Sequence, residues 1–289
     1  DKKCQVLRFD CNSTKMTEEY NNTTIQAWIN ARMLRGFYTF SKSDLLSIGL
    51  TITESSIIRS LNRLEHNGTI MSPWQNFYVI IPTEYKLRGI VPPTFYIDKL
   101  MQFLNRDYYI SLLSAAELNG ASHQRSMVFQ VTMNGSSVRS GVKNGTRIEL
   151  FTRQELPLQF TKKIKTKSGY ITVSGPELTA LDLVANYNKV GGLSRVAEIL
   201  LELSELTKWD NAKLPLLAYF KMPTIQRLGY ILDLLEQMEQ ADALFGLMKQ
   251  TNKTTRKTPL KPELPAKDDM DSNNRWKIIE NYALEIDDI

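Results

Sequence analysis

Along residues 25–92 the apolar positions move between helical and strand spacing, and each shift marks an element. Ile25, Trp28, Ile29 and Met33 recur at the helical period and stop near Gly36. Ser41-Lys42-Ser43-Asp44 then precedes Leu45-Leu46 and Ile48-Gly49, the pattern of a short capped helix and a glycine turn. Thr51-Ile52-Thr53-Glu54 matches a capping box opening a third helix, whose apolar stripe is Ile57, Ile58, Leu61 and Leu64. His66-Asn67-Gly68 ends it, with the glycine free to take the left-handed cap. Two β-rich runs follow, Thr69-Ile70-Met71 and Phe77-Tyr78-Val79-Ile80-Ile81, joined by Ser72-Pro73-Trp74-Gln75-Asn76. They read as a hairpin. Short helices followed by a hairpin in this order predict a winged helix-turn-helix over residues 24–92.

Beyond Val91-Pro92-Pro93 the texture changes. A helix over Ile97–Leu104 leads to an apolar run, Tyr108–Ala116, that reads as a second helix ending at Asn119-Gly120. Strand-like stretches then cover Met127–Met133, Arg147–Phe151, Leu158–Lys165 and Tyr170–Val173. Ser174-Gly175-Pro176-Glu177 has the form of another capping box, starting a helix through Leu178, Leu181, Leu183 and Val184 to a break at Gly191-Gly192. Further helices carry Val196, Ile199, Leu200 and Leu203, then Thr224–Glu236 and Gln240–Lys249. The Lys/Pro/Asp-rich residues 250–274 look like a linker or loosely packed arm. Trp276-Lys277-Ile278-Ile279 reads as a last strand before an acidic end. The expected class is mixed α+β. A polar leader (1–23) precedes the winged helix-turn-helix (24–92). A larger α/β domain with a helical C-terminal part (93–250) follows, and then a linker arm with an acidic C-terminal strand (251–289).

Composition narrows the function classes. A hydrophobic content of 42% and a charged content of 23% suit a globular chain, and no apolar run reaches the roughly eighteen residues of a membrane span. Asp1-Lys2-Lys3-Cys4 carries no apolar signal core, so a cytoplasmic location is expected. Cys4 and Cys11 are too few for a disulfide framework, and His66 and His123 lie far apart, so neither metal nor cofactor is expected. The net charge of +5 is unevenly spread. Residues 24–88 carry seven basic and four acidic side chains, residues 125–167 nine and two, and residues 258–289 four and eight. A basic body with an acidic tail suits a polyanionic partner.

On the third helix, Ser55, Ser56, Arg59, Asn62 and Arg63 lie opposite the apolar stripe, with Ser60 at the flank. Arg can bond a guanine edge twice, Asn an adenine edge twice, and Ser either bases or phosphates. These are therefore the candidate base-reading residues. Lys42, Arg35 and the hairpin residues Trp74, Gln75 and Asn76 are candidate phosphate or sugar contacts. A second basic surface is read from Lys163-Ile164-Lys165-Thr166-Lys167, where alternation would put the lysines on one strand face, with Arg147 and Arg153 nearby.

Several stretches resemble the AbiEi family, antitoxins of the AbiE type IV toxin–antitoxin systems. They include Tyr108-Tyr109-Ile110-Ser111-Leu112-Leu113-Ser114-Ala115-Ala116, Ser174-Gly175-Pro176-Glu177-Leu178-Thr179-Ala180-Leu181-Asp182-Leu183, and Gln226-Arg227-Leu228-Gly229-Tyr230. The terminal Arg275-Trp276 followed by acidic residues adds to them. The resemblance runs from about residue 24 to the end. It implies a winged helix that represses the system's own promoter at inverted repeats. It also implies a C-terminal domain that counters a nucleotidyltransferase-like toxin in phage defence, without a stable complex.

Catalysis finds little support in the residues themselves. Glu149, Glu177 and Asp182 are the carboxylates a metal-dependent nuclease would need, but Glu177 has a capping role and Asp182 lies on another face of the helix. His123 has no Ser or Cys nucleophile motif with it. Arg227 reads as a structural salt-bridge residue. The expectation is a non-enzymatic DNA-binding regulator and antitoxin. A regulator of another operon, or a DNA-targeted nuclease, is the alternative.

Overall fold

In the computed structural model, described residues are 24–50, 52–87, 89–121, 127–136, 141–143, 146–251, 253–266 and 270–285, with the backbone alone at 141–143 and 146. The polar leader, Cys4, Cys11, Thr51 and His123 therefore lie outside them. The chain divides into two compact units, one ending at Phe103 and the other beginning at Leu104.

The first unit opens with α1 (Ile25–Leu34), capped by the Thr24 hydroxyl, which accepts from the Ala27 amide. β1 (Thr39–Ser41) runs directly into α2 (Lys42–Leu46), where Ser41 and Asp44 form a reciprocal capping box. α3 (Glu54–His66) is capped by Thr53 and ends at Asn67, with Gly68 at φ +63°. β2 (Ile70–Trp74) and β3 (Phe77–Ile80) turn through Gln75-Asn76, and Asn76 takes φ +60°. These strands join β1 in an antiparallel sheet of order β1-β3-β2. A core of Ile29, Phe40, Leu45, Ile57, Leu61 and Ile80 holds the helices to the sheet. α4 (Ile97–Phe103) closes the unit. The expected helices and hairpin are present. β1 went unread because three residues are too few to display alternation.

The second unit is built on a mixed sheet of order β6-β7-β5-β4-β9-β8. Its strands are β4 (Tyr108–Ile110), β5 (Val128–Met133), β6 (Gly141–Lys143), β7 (Thr146–Thr152), β8 (Thr161–Thr166) and β9 (Gly169–Ser174). α5 (Leu112–Asn119), α6 (Pro176–Ala185), α7 (Leu193–Ser204), α8 (Met222–Leu234) and α9 (Met238–Gln250) supply a large apolar core centred on Leu181, Val196, Leu228 and Leu244. The run Tyr108–Ala116 is thus a buried strand followed by a helix, not one helix. Every residue of the run is buried, its two serines included, and periodicity cannot divide such a run.

Two local expectations are corrected. The Ser174–Glu177 box does not form. Gly175 is the N-cap of α6, Ser174 bonds the Thr179 hydroxyl, and Glu177 instead accepts from the Lys208 amide and pairs with Lys213. Among the described residues Arg227 makes no salt bridge of the expected kind. It donates to the carbonyls of Pro259 and Leu260.

That second correction explains the tail. Residues 251–285 are anchored rather than loose where they are described. β10 (Thr258–Pro259) pairs in parallel with β11 (Ile278–Ile279). Gln226 donates to the carbonyls of Arg256 and Trp276, at 2.8 and 2.6 Å. Trp276 is fully buried against Gly229 and the edge of Phe245, its indole N–H donating to Asp233. Arg275 joins Asp233 to Asp242. The Gln226-Arg227-Leu228-Gly229 stretch is therefore the seat of the C-terminal tail.

Candidate functional site

α3 is amphipathic because its sequence spaces Ile57, Leu61 and Leu64 along one side, and those three are its buried residues. Ser55, Arg59, Asn62 and Arg63 are exposed, with Ser56 and Ser60 half-buried. Ile58, expected in the apolar stripe, is 42% exposed. At 100° per residue it sits about 100° from Ile57, outside the arc that meets the core. Arg59 folds back toward the helix start, its guanidinium 3.4 Å from both the Ser55 carbonyl and the Ser56 hydroxyl. Such long contacts leave the side chain free to exchange them for stronger partners.

Lys42 links the neighbouring parts. Its amide donates to the Asn76 carbonyl at the hairpin turn, at 3.0 Å, and its ammonium pairs with Glu54 at 2.5 Å. The hydrogen bond and charge of Lys42 hold the Glu54 carboxyl below its ordinary range. The hairpin tip, the start of α2 and the start of α3 are thereby tied together. Lys42 is already paired, which weakens it as a phosphate contact. Gln75 and Asn76 are exposed at the tip, Trp74 is half-buried, and Arg35 is exposed at the end of α1.

The second basic surface is smaller than expected. Lys163 and Lys165 are exposed on β8, with the Lys163 ammonium donating to the Thr172 hydroxyl at 2.6 Å. β8 ends at Thr166, so Lys167 lies in the following turn and alternation does not fix its face. Arg147 is exposed, 3.9 Å from Glu149. Arg153 does not belong to this surface. Its side chain is only 19% exposed and pairs with buried Asp182 at 3.1 Å.

That pair is the feature the sequence reading missed. Asp182 is the lone carboxylate in an apolar stretch of α6, from Leu178 to Val184, and a buried charge demands a partner. It accepts from the Tyr109 hydroxyl at 2.8 Å, while Arg153 also donates to the Tyr219 carbonyl at 2.6 Å. The guanidinium lies over the Phe220 ring. Burial pushes the Asp182 carboxyl up to about 6, against the opposing pull of the Arg153 charge. A folded-state value above the unfolded one stabilises the fold at low pH. That contribution is fully present below about pH 4 and is lost as pH rises through about 6, a change on the order of 3 kcal/mol. Asp182→Asn removes the titration. The stability gap between the parent chain and this variant should therefore narrow from about pH 4 to about pH 7.5 in urea denaturation. A gap that widens would contradict the assignment.

Glu149, Glu177 and Asp182 each have separate partners. Among the described residues no three His, Cys, Asp or Glu side chains gather as a metal site. No described helix is long and apolar enough to cross a membrane.

Fold and site together define a mixed α/β protein with a small unit exposing a polar, arginine-bearing helix and a larger sheet-and-helix unit. Residues 109–234 match the family model described as the AbiEi antitoxin C-terminal domain. The crystal structure of the RV2827C protein from Mycobacterium tuberculosis is similar in fold. Its TM-score is 0.62 at 15% identity, over 89% of this chain and 92% of that one. An antigenic nucleotidyltransferase-like protein from Paracoccidioides brasiliensis gives a TM-score of 0.36 at 14% identity, over 56% of this chain and 93% of that one. No curated protein matches the chain.

Proposed function

We propose that the chain is a winged-helix transcriptional repressor and the antitoxin of an AbiE-like type IV system, working in the cytoplasm against a nucleotidyltransferase-like toxin. The observation that carries the DNA-binding half is the exposed face of Ser55, Arg59, Asn62 and Arg63 on α3, beside a hairpin tip held by Lys42. α2, the Gly49 turn and α3 serve as the helix-turn-helix, with β2 and β3 as the wing. Residues of the right chemistry stand where a major groove would meet them. Lys163, Lys165, Arg147 and Lys167 add a secondary basic contact to nucleic acid. The antitoxin half rests on the domain at residues 109–234. The protein acts by binding, without a cofactor and without catalysis of its own.

Co-expression tests the antitoxin reading. Induction of the adjacent nucleotidyltransferase-like gene alone should arrest growth, and this chain supplied in trans should restore it. Arrest that persists with the chain present at equal or higher level would leave a regulator without antitoxin duty.

A further inference from the structure

Ile58 belongs neither to the buried side of α3 nor to its polar chemistry. Among the described residues of α3 the exposed ones are Glu54, Ser55, Ile58, Arg59, Asn62, Arg63 and His66, and of these Ile58 alone is apolar. It is 42% exposed, whereas Ile57, Leu61 and Leu64 are buried. An exposed helix position is better served by Ala, Lys or Glu, so isoleucine gains neither full burial nor helix propensity there. At 100° per residue its side chain projects about 40° from Asn62 and about 60° from Ser55, on the flank of the base-reading face. Glu54, one turn earlier on that flank, is already paired with Lys42.

The polar residues of the face leave one base without a reader of its own. Arg59 and Arg63 have the chemistry for guanine and Asn62 that for adenine, in each case through hydrogen bonds. Thymine is set apart in the major groove by its C5 methyl, which is read by apolar contact. An A·T pair presents that methyl together with the adenine edge that suits Asn62, one turn from Ile58. A helical side chain leans toward the helix N-terminus, so the Ile58 methyls lie over the turn of Ser55, in the half of α3 that goes deepest into a groove.

We propose that Ile58 is a specificity-determining residue, packing against the C5 methyl of a thymine in the DNA upstream of the chain's own gene. This role rests on α3 being the groove-reading helix.

The test is fluorescence anisotropy of the full chain with upstream duplexes in which each thymine in turn is replaced by deoxyuridine, which removes the methyl and leaves the pairing intact. At least one replacement should weaken binding about three- to fivefold, the worth of one buried methyl. Ile58→Ala should bind that duplex and its thymine parent alike, and Ile58→Val, which keeps the branched apolar surface, should retain most of the difference. If the parent chain prefers upstream to shuffled DNA yet no deoxyuridine weakens it, the role of Ile58 is overturned and groove reading by α3 stands. A deoxyuridine penalty that persists undiminished in Ile58→Ala overturns it too. No preference of the parent chain for upstream DNA overturns both.

Discussion

Arg59→Ala is expected to weaken binding to the DNA upstream of the chain's own gene by about 1–3 kcal/mol, roughly 5- to 150-fold, and Arg63→Ala by a similar amount. Both side chains are exposed on α3, opposite the residues that hold the helix to its core. Their removal should therefore leave stability within about 0.5 kcal/mol of the parent. The pattern of loss identifies the role. A base-reading arginine weakens the operator and spares shuffled DNA. A phosphate contact weakens both alike and lowers the salt slope by about 1. Fluorescence anisotropy with both DNAs at several salt concentrations separates these cases. Unchanged affinity in the double variant would contradict groove reading by α3.

The largest expected loss of stability lies far from that helix, at Gly229 and Trp276. A Cβ at Gly229 would stand 2.2 Å from the Trp276 ring, far inside contact distance. The ring has nowhere to move, since Phe245 packs against it and Asp233 holds its N–H. Gly229→Ala should cost about 1–3 kcal/mol or more by overpacking, despite alanine's better helix propensity. Trp276→Ala should cost about 3–5 kcal/mol through the lost ring and the cavity it leaves. It should also free the tail, so that limited proteolysis cleaves between residues 251 and 285 before the rest of the unit. Denaturation midpoints within error of the parent in both variants would contradict the anchoring of the tail.

The sequence displays some of this and conceals the rest for identifiable reasons. α1, α2 and α3 are legible because each carries a polar cap and an apolar residue on every turn. Ile57, Leu61 and Leu64 can be assigned to the core from spacing alone. Ile58 cannot, since a neighbour at 100° falls inside or outside the buried arc according to what packs there. The Tyr108–Ala116 run conceals a strand–helix junction because burial on all sides erases periodicity. Arg153 and Asp182 stand 29 positions apart, and nothing local marks them as a pair. Only the sheet and α6 together bring them into contact. The tail misleads in the same way. Its Lys, Pro and Asp content resembles a linker, while its order comes from backbone carbonyls captured by Gln226 and Arg227 on α8.

The most direct measurement is the affinity of the whole chain for its upstream DNA against a shuffled duplex of equal length and composition, at one physiological salt concentration. Recognition by α3 should give at least a thousandfold preference for the upstream sequence, in the range of specific DNA-binding proteins. Equal affinity for the two duplexes would mean that the face bearing Arg59 and Arg63 reads no sequence.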